Sequence, residues 1–430
     1  MPYLPGACGR PWHHPSMALP DRGPLLVRTP ARTTVRTAAV GAGVAAGLVG
    51  VGTTALAAYF TRRVLTPDHV KPDDVVVHDV DLAADPPTVT LGRTDETVAP
   101  GRYGLGWGGS DGWRWRGHAR LGEVLRADDD LVVRELLGVD RGTPASGPAR
   151  WNQYYLSGTP DEALGLAYEE VELPTDVGPM PAWYVPAEEG AQPSGDWAVL
   201  VHGRGATREE CLRAVPVAHR LGMDVLVPSY RNDLGAPKDP SGRYHLGDSE
   251  WRDVEAALLW AVERGARQVV LMGWSMGGAI VLQAATRSWL SDRVRAVVLD
   301  GPVVDWHAVL DYHSALNRVP ARVTRMGHTM MRHPLGRRLV GLKHPLDLRR
   351  LDWVTRAAEL RLPVLVVHSD ADEFVPNAAS LALGRARPDV VRVEPWDQGR
   401  HTKEWNTDPE RWERVVGEFV AAALSRGSAH

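Results

Sequence analysis

From Ala167 onward the chain alternates short apolar runs with longer stretches whose apolar residues recur at helical spacing. Trp197-Ala198-Val199-Leu200-Val201, Asp224 to Val227, Val269 to Met272, Ala296 to Leu299, Val364 to Val367 and Val391 to Val393 have the length and Val-rich content of strands covered on both faces. Tyr168 to Leu173 and Met180 to Val185 read as a first pair of strands. One helix is predicted from Thr207 to Leu221. Another follows the cap candidates Asp248 and Ser249, sets Val254, Ala257, Leu258 and Ala261 on one side and stops at Gly265; a last one runs from Pro409 to Leu424. Strand and helix in regular alternation predict an α/β fold over 167–424, with a mostly parallel central sheet and helices on both faces.

Three regions break this rhythm. Residues 303–360 are too long for a plain connection and are helical in pattern, with Arg318, Arg322, Arg325, Arg332, Arg337 and Arg338 in excess; an insertion near the carboxyl edge of the sheet is expected to form a helical lid. Residues 88–166 mix β-like runs such as Asp130 to Leu136 with Gly and Trp clusters, Gly106-Trp107-Gly108-Gly109 and Trp113-Arg114-Trp115, and are expected to form a small β-rich accessory region, joined through a linker over 61–87. Upstream, a basic tail (1–36) precedes residues 37–60, which lack any charged side chain and are long enough to cross about 30 Å of hydrocarbon as a helix. Arg28, Arg32 and Arg36 before it and Arg62 and Arg63 after it frame a signal anchor, which predicts a single-pass membrane protein with its bulk outside the cell. The alternatives are secretion after cleavage near Ala55-Leu56-Ala57 and a cytoplasmic chain with no inserted segment. Residues 425–430 are a short C-terminal tail.

Composition narrows the chemistry. The chain has 430 residues, a net charge of −4 and 24% charged residues, so nothing points to nucleic acid as a partner. Two cysteines, Cys8 and Cys211, make no disulfide framework, and no Cys/His spacing, H-E-x-x-H or P-loop is present; no metal or cofactor is expected, and the expected ligand is a small molecule.

Between a predicted strand and a predicted helix lies Gly273-Trp274-Ser275-Met276-Gly277-Gly278. G-x-S-x-G in that setting forces the serine into a strained turn and holds its hydroxyl above the sheet, with glycines keeping neighbouring side chains away. A serine hydroxyl needs a base within hydrogen-bond reach and a third group to orient the base. Downstream, strand Val364 to Val367 runs into His368-Ser369-Asp370-Ala371-Asp372, and strand Val391 to Val393 leads to Gly399-Arg400-His401. His401 is the candidate base, with His202 and His368 weaker; Asp372 is the preferred acid, with Asp300 and Asp370 as alternatives. Upstream, His202-Gly203-Arg204-Gly205 follows a buried strand, and the backbone N–H of Arg204 with that of Met276 would form an oxyanion hole.

Together, Gly273 to Gly278, His202 to Gly205, the His-Ser-x-x-Asp-x-x-Val-Pro run at 368–376 and Gly399 to His401 resemble the α/β-hydrolase superfamily. The nearest flavour is its serine aminopeptidase or monoglyceride-lipase-like branch, with some similarity to prolyl-oligopeptidase catalytic domains. The resemblance covers 167–424 and implies Ser275 as nucleophile, Asp372 as acid, His401 as base, and Arg204 and Met276 as oxyanion donors. Ser369, where the family usually has glycine, and the Arg-rich insertion depart from it. The expected activity is a serine hydrolase acting on a carboxylic ester through an acyl-enzyme. A serine peptidase, an acyltransferase and a catalytically silent, membrane-anchored binding module are the alternatives.

Overall fold

The computed structural model describes residues 50–68, 72–111, 114–187 and 194–425. Two units are distinguished, Met1–Gly52, of which only 50–52 are described, and Thr53–His430, which holds every strand found among the described residues. Helix α1 (50–65) opens the described chain. Six strands follow, β1 (Val75–Asp81), β2 (Thr88–Gly92), β3 (Tyr103–Asp111), β4 (Arg114–Ala127), β5 (Leu131–Arg141) and β6 (Gly147–Asn152), and they close as an antiparallel barrel in the order β1-β2-β5-β4-β3-β6. Val77, Leu91, Tyr103, Leu105, Leu121 and Ala149 fill it.

The barrel shifts the expected boundaries. Its first strand lies in the stretch expected to be a linker (61–87), because β1 pairs with Gly147 to Ala149 some seventy residues away, and its last strand ends at Asn152 rather than near 166. Inside it, the buried Arg134 guanidinium donates to the carbonyls of Thr97, Ala99, Gly101 and Gly122 and lies 5.4 Å from the ring centroids of both Tyr103 and Trp151. Burial lowers its pKa to about 10. The cation therefore organises the loop between β2 and β3 from within.

After α2 (Pro160–Leu164) comes an eight-stranded sheet: β7 (Glu169–Thr175), β8 (Gly178–Val185), β9 (Asp196–Val201), β10 (Asp224–Pro228), β11 (Gln268–Trp274), β12 (Val294–Asp300), β13 (Val364–Ser369) and β14 (Val391–Trp396), in the order β14-β13-β12-β11-β9-β10-β8-β7. From β10 to β14 neighbours run parallel, and only β8 is antiparallel to its partners. Alternate residues divide between two cores: Val199, Leu271, Val297 and Val366 face one side, Leu200, Val270, Val298 and Leu365 the other. The helices are α3 (Val215–Arg220), α4 (Trp251–Glu263), α5 (Met276–Arg287), α6 (Trp306–Leu316), α7 (Ala321–Arg332), α8 (Pro334–Val340), α9 (Ala378–Ala386), α10 (Glu404–Thr407) and α11 (Pro409–Ser425). The helix expected over Thr207 to Leu221 is instead a 3₁₀ turn, Arg208–Ala214, followed by α3; Pro216 lacks the N–H that an uninterrupted helix would use and fits only its first turn.

The expectation of a membrane helix over 37–60 is not supported. Among the described residues no helix is long and apolar enough to cross a membrane, and residues 37–49 lie outside them. The helix also runs past residue 60, through Arg62 and Arg63, with Ala57, Thr61 and Leu65 buried at a four-residue spacing against the folded body.

At the junction of β11 and α5, a β-carbon on Gly277 would lie 2.1 Å from the Val201 carbonyl oxygen, and one on Gly273 would lie 2.5 Å from the Gly277 oxygen. Both obstacles are backbone. Gly277→Ala is therefore expected to lower stability by about 1–3 kcal/mol, read as a fall in thermal midpoint; an unchanged midpoint would show that helix and strand are not in this contact.

Candidate active site

Ser275 joins β11 to α5 with φ 52° and ψ −116°, a left-handed conformation unusual for a residue with a β-carbon. The turn is held on all sides: Ser275 N donates to Asp300 O at 3.0 Å, and Ser275 O accepts from Gly278 N and Val303 N, each at 3.0 Å. Facing it, Gly203 brings the backbone close, and a β-carbon there would sit a tight 3.1 Å from Ser275 Cβ. The peptides around Gly203 are fixed, its N–H donating to Glu210 Oε2 at 2.6 Å and its carbonyl accepting the Tyr230 hydroxyl at 2.7 Å. Among the described residues neither the Arg204 N–H nor the Met276 N–H has a protein acceptor. Two free donors flanking a hydroxyl can receive an anionic oxygen.

The Arg204 side chain is engaged elsewhere. Its guanidinium donates to the carbonyls of Arg63, Val64 and Thr66 at 3.2, 2.9 and 2.8 Å, the unsatisfied acceptors at the end of α1. These three carbonyls, and no acidic side chain among the described residues, are its hydrogen-bond partners.

His401 Nε2 lies 2.9 Å from Ser275 Oγ, and His401 Nδ1 lies 2.7 Å from Asp372 Oδ2. In the tautomer this network requires, Nδ1–H donates to the carboxylate and Nε2 accepts from the hydroxyl. Asp372 Oδ1 accepts the N–H groups of Phe374 and Val375 at 2.8 and 2.7 Å. His368, a weaker candidate base from its sequence position, stands behind the acid: its Nε2 is 3.2 Å from Asp372 Oδ2 and 2.9 Å from Val375 O, and its Nδ1 is 2.8 Å from Ser380 Oγ. Burial opposes the charge on Asp372, but the hydrogen bonds from His368, His401 and Val375 outweigh it and hold the carboxyl well below the usual carboxylate range. The Asp370 carboxylate is exposed and binds Asn377 Nδ2 at 2.6 Å, and His202 is 2.9 Å from Asp233, so neither joins this group.

Asp300 lies beneath the turn and not beside His401. Its Oδ2 accepts from Trp412 Nε1 at 2.7 Å, and its carboxyl is a close neighbour of that of Glu404, whose Oε1 accepts the Ser369 N–H at 2.9 Å. Asp300 Oδ1 and Glu404 Oε2 are buried and no donor reaches either, so a proton kept on one carboxyl is what would join the pair. Burial raises both, and the Asp300 charge keeps Glu404 protonated well above its ordinary value.

A cavity of about 390 Å³ opens over Ser275 and His401. Its far wall is the barrel, with Asp74, Glu96, Trp115, Arg150, Trp151 and the segment 152–154, and no residue of 303–360 lines it. The insertion expected to be a lid touches the site at its first residue, Val303, whose N–H donates to Ser275 O, and meets the cavity wall through His313, whose Nε2 is 2.8 Å from Phe374 O. Glu96, at the tip of the loop that Arg134 organises, bridges Arg400 at 3.1 Å and Lys403 at 2.8 Å, on either side of His401. Asn406 Nδ2 donates to Arg102 O and Gln153 O, a second tie between barrel and histidine loop. No sequence signal marks Glu96, which lies about three hundred residues before the loop it holds. Among the described residues no group of three or more His, Cys, Asp or Glu is placed to hold a metal.

The sequence profile of the Alpha/beta hydrolase family matches residues 198–418, and that of a domain of unknown function (DUF8805) matches residues 76–152, which coincides with the barrel. Solved structures similar to this chain include the esterase Pf2001 of Pyrococcus furiosus, 17% identical, covering 62% of this chain and 96% of that one with a TM-score of 0.46. A putative aryl esterase from Burkholderia cenocepacia is 18% identical over 60% and 100% of the two chains with a TM-score of 0.41. Est1E from Butyrivibrio proteoclasticus, solved with ferulic acid bound, is 14% identical over 59% and 99% with a TM-score of 0.45. No curated protein matches the chain.

The Asp300–Glu404 pair makes stability depend on pH with a definite sign. Unfolded Glu404 ionises near its ordinary value while the folded protein retains the proton, so as pH rises above about 4.5 the pair costs the fold up to about 1.4 kcal/mol per pH unit until the folded group ionises. Glutamine can donate to Asp300 without a proton, so Glu404→Gln is expected to raise the thermal midpoint more at pH 8 than at pH 5; an equal change at both would remove the shared proton from the account.

Proposed function

The chain belongs to the alpha/beta hydrolase family, and from that premise we propose that it is a serine hydrolase that cleaves a carboxylic ester through an acyl-enzyme. Ser275 Oγ attacks the ester carbonyl carbon as His401 Nε2 takes its proton, and Asp372 holds the imidazole in the required tautomer. The carbonyl oxygen, now an anion, meets the N–H groups of Arg204 and Met276. His401 returns the proton to the departing alcohol, and water, activated by the same histidine, releases the acid. The observation that carries this reading is the unbroken chain of hydrogen bonds from Ser275 through His401 to Asp372, at 2.9 and 2.7 Å.

Ester is favoured over peptide by the charges around the cavity. An aminopeptidase needs a free acid to hold the substrate's amino group, but the acids lining this cavity are already engaged. Asp74 binds Arg150 and the Trp151 N–H; Glu96 binds Arg400 and Lys403; Glu209 accepts from Ser157 and Gly158; Glu210 accepts from Gly203 and pairs with Arg213. With Trp115, Trp151, Tyr154, Leu234 and Phe374 among its walls, the cavity suits a compact, partly aromatic ester.

Kinetics on p-nitrophenyl esters test this assignment. Ser275→Ala and His401→Ala are each expected to cut kcat by about 10⁶-fold, and Asp372→Asn by about 10⁴-fold. Full activity in Asp372→Asn together with loss in Asp300→Asn would move the acid to Asp300. Glu96→Gln is expected to lower kcat roughly 10-fold through a displaced His401 while leaving the thermal midpoint nearly unchanged, as suits a partly exposed ion pair; an unaffected kcat would make the Glu96 bridge incidental.

A further inference from the structure

The insertion that does not line the cavity over Ser275 has a character of its own. From 312 to 346 there are seven Arg or Lys residues and no Asp or Glu, in a chain whose net charge is −4. Arg318, Arg322, Arg325, Arg332, Arg337, Arg338 and Lys343 form no ion pair among the described residues, whereas most arginines elsewhere in the fold are paired or bonded to carbonyls. A run of positive charge left unneutralised within its own protein is suited to an anionic surface.

Apolar side chains accompany the charge. In α7, Val323, Gly327, Met330 and Met331 are buried, and the exposed stripe reads Arg322, Arg325, Met326, Thr329, Arg332, at helical spacing. Leu335 and Leu339 stand on the next helix, 67% and 53% exposed, with Arg338 between them, and Leu316, at the end of α6, is 59% exposed. α1 belongs to the same cluster: a β-carbon on Gly327 of α7 would lie 2.6 Å from Thr61 Oγ1, and Arg62 Nη1 reaches Leu339 O at 3.5 Å. α1 contributes Tyr59, 64% exposed, and Phe60 at the edge of this cluster. Between α1, α6 and α7 lies a mostly apolar hollow of about 350 Å³ lined by Phe60, Val64, Leu310, Val323 and Met331.

Aliphatic and aromatic groups that would otherwise stay wet, set among unpaired arginines, match the two layers of a bilayer interface, where apolar groups enter the acyl region and cations meet headgroup phosphates. A free small anion would leave the exposed leucines unexplained, and a nucleic acid would leave the hollow unexplained. We propose that the face formed by α7, α8, the end of α6 and the Tyr59–Phe60 edge of α1 binds the surface of a membrane rich in anionic lipid, peripherally and without spanning it. The cavity over Ser275 would then work beside a lipid surface.

Co-sedimentation of the full chain with vesicles tests this. One set is phosphatidylcholine alone and the other contains a minority of phosphatidylglycerol. The chain with Arg322→Gln, Arg325→Gln, Arg332→Gln and Arg338→Gln combined is compared with the unaltered chain, so that residues 1–49, common to both, cancel. The unaltered chain should prefer the anionic vesicles, lose that preference at high salt, and bind them about 100-fold or more tightly than the fourfold variant. Leu335→Ser with Leu339→Ser should weaken binding without removing its salt dependence. Hydrolysis of a soluble ester and the thermal midpoint should be the same in all three chains, which shows that each is folded. Equal binding by the unaltered chain and the fourfold variant, or no preference for anionic vesicles, would overturn the proposal. So would binding of a duplex RNA as tight as binding to the vesicles, which would assign the arginines to nucleic acid.

Discussion

A serine with φ 52° is strained, and of order 1–3 kcal/mol must be supplied by its surroundings to keep it so. Those surroundings are backbone: the end of β12 accepts the Ser275 N–H, Val303 and Gly278 donate to its carbonyl, and Gly277 lets α5 lie directly against the end of β9. Everything around the hydroxyl follows from that closeness. It brings the Gly203 loop within van der Waals contact of Ser275 and leaves the N–H groups of Arg204 and Met276 without acceptors. The serine also stands where the loops after β13 and β14 can reach it. The strain is an observation, and the functional reading rests on what it aims at.

The second dependence is on the barrel. An α/β sheet alone would present Ser275 and His401 at an open edge. Here the far wall of the cavity belongs to the barrel and the residues that flank it, and the loop bearing Glu96 is fixed from inside the barrel by Arg134, whose guanidinium serves the carbonyls of Thr97, Ala99, Gly101 and Gly122. Glu96 then meets the cations on either side of His401. A buried charge inside one module thereby positions a loop that grips the other, which gives the barrel a physical connection to the loop bearing His401 beyond mere attachment.

The sheet was legible because strands buried on both faces read as short Val-rich runs, and Ser275, Asp372 and His401 could be singled out because each follows such a run in the chain. The barrel was less so. β1, Val75-Val76-Val77-His78-Asp79-Val80-Asp81, has half its residues turned to solvent and pairs across a long separation with Gly147 to Ala149, so locally it resembles a linker. Pairings of charge with backbone are equally hidden: nothing near Arg204 in sequence tells that it serves the last turn of α1, and nothing near Glu404 tells of Asp300. Absence of charge over 37–60 suggested a membrane span, yet the buried positions Ala57, Thr61 and Leu65 carry the helix past two arginines and pack it on the protein. Over residues 50–65 it is burial against the folded body that sets where the helix runs, and the charge pattern alone does not show it.

The central claim is that Ser275 Oγ is the atom that attacks the substrate carbonyl. Treating the esterase-active chain with a fluorophosphonate and locating the adduct by peptide mass spectrometry tests it without assuming a substrate. A single adduct on the peptide bearing Ser275, formed in step with loss of activity, is the predicted result; loss of activity with the adduct on another residue, or full labelling with activity retained, would contradict the account.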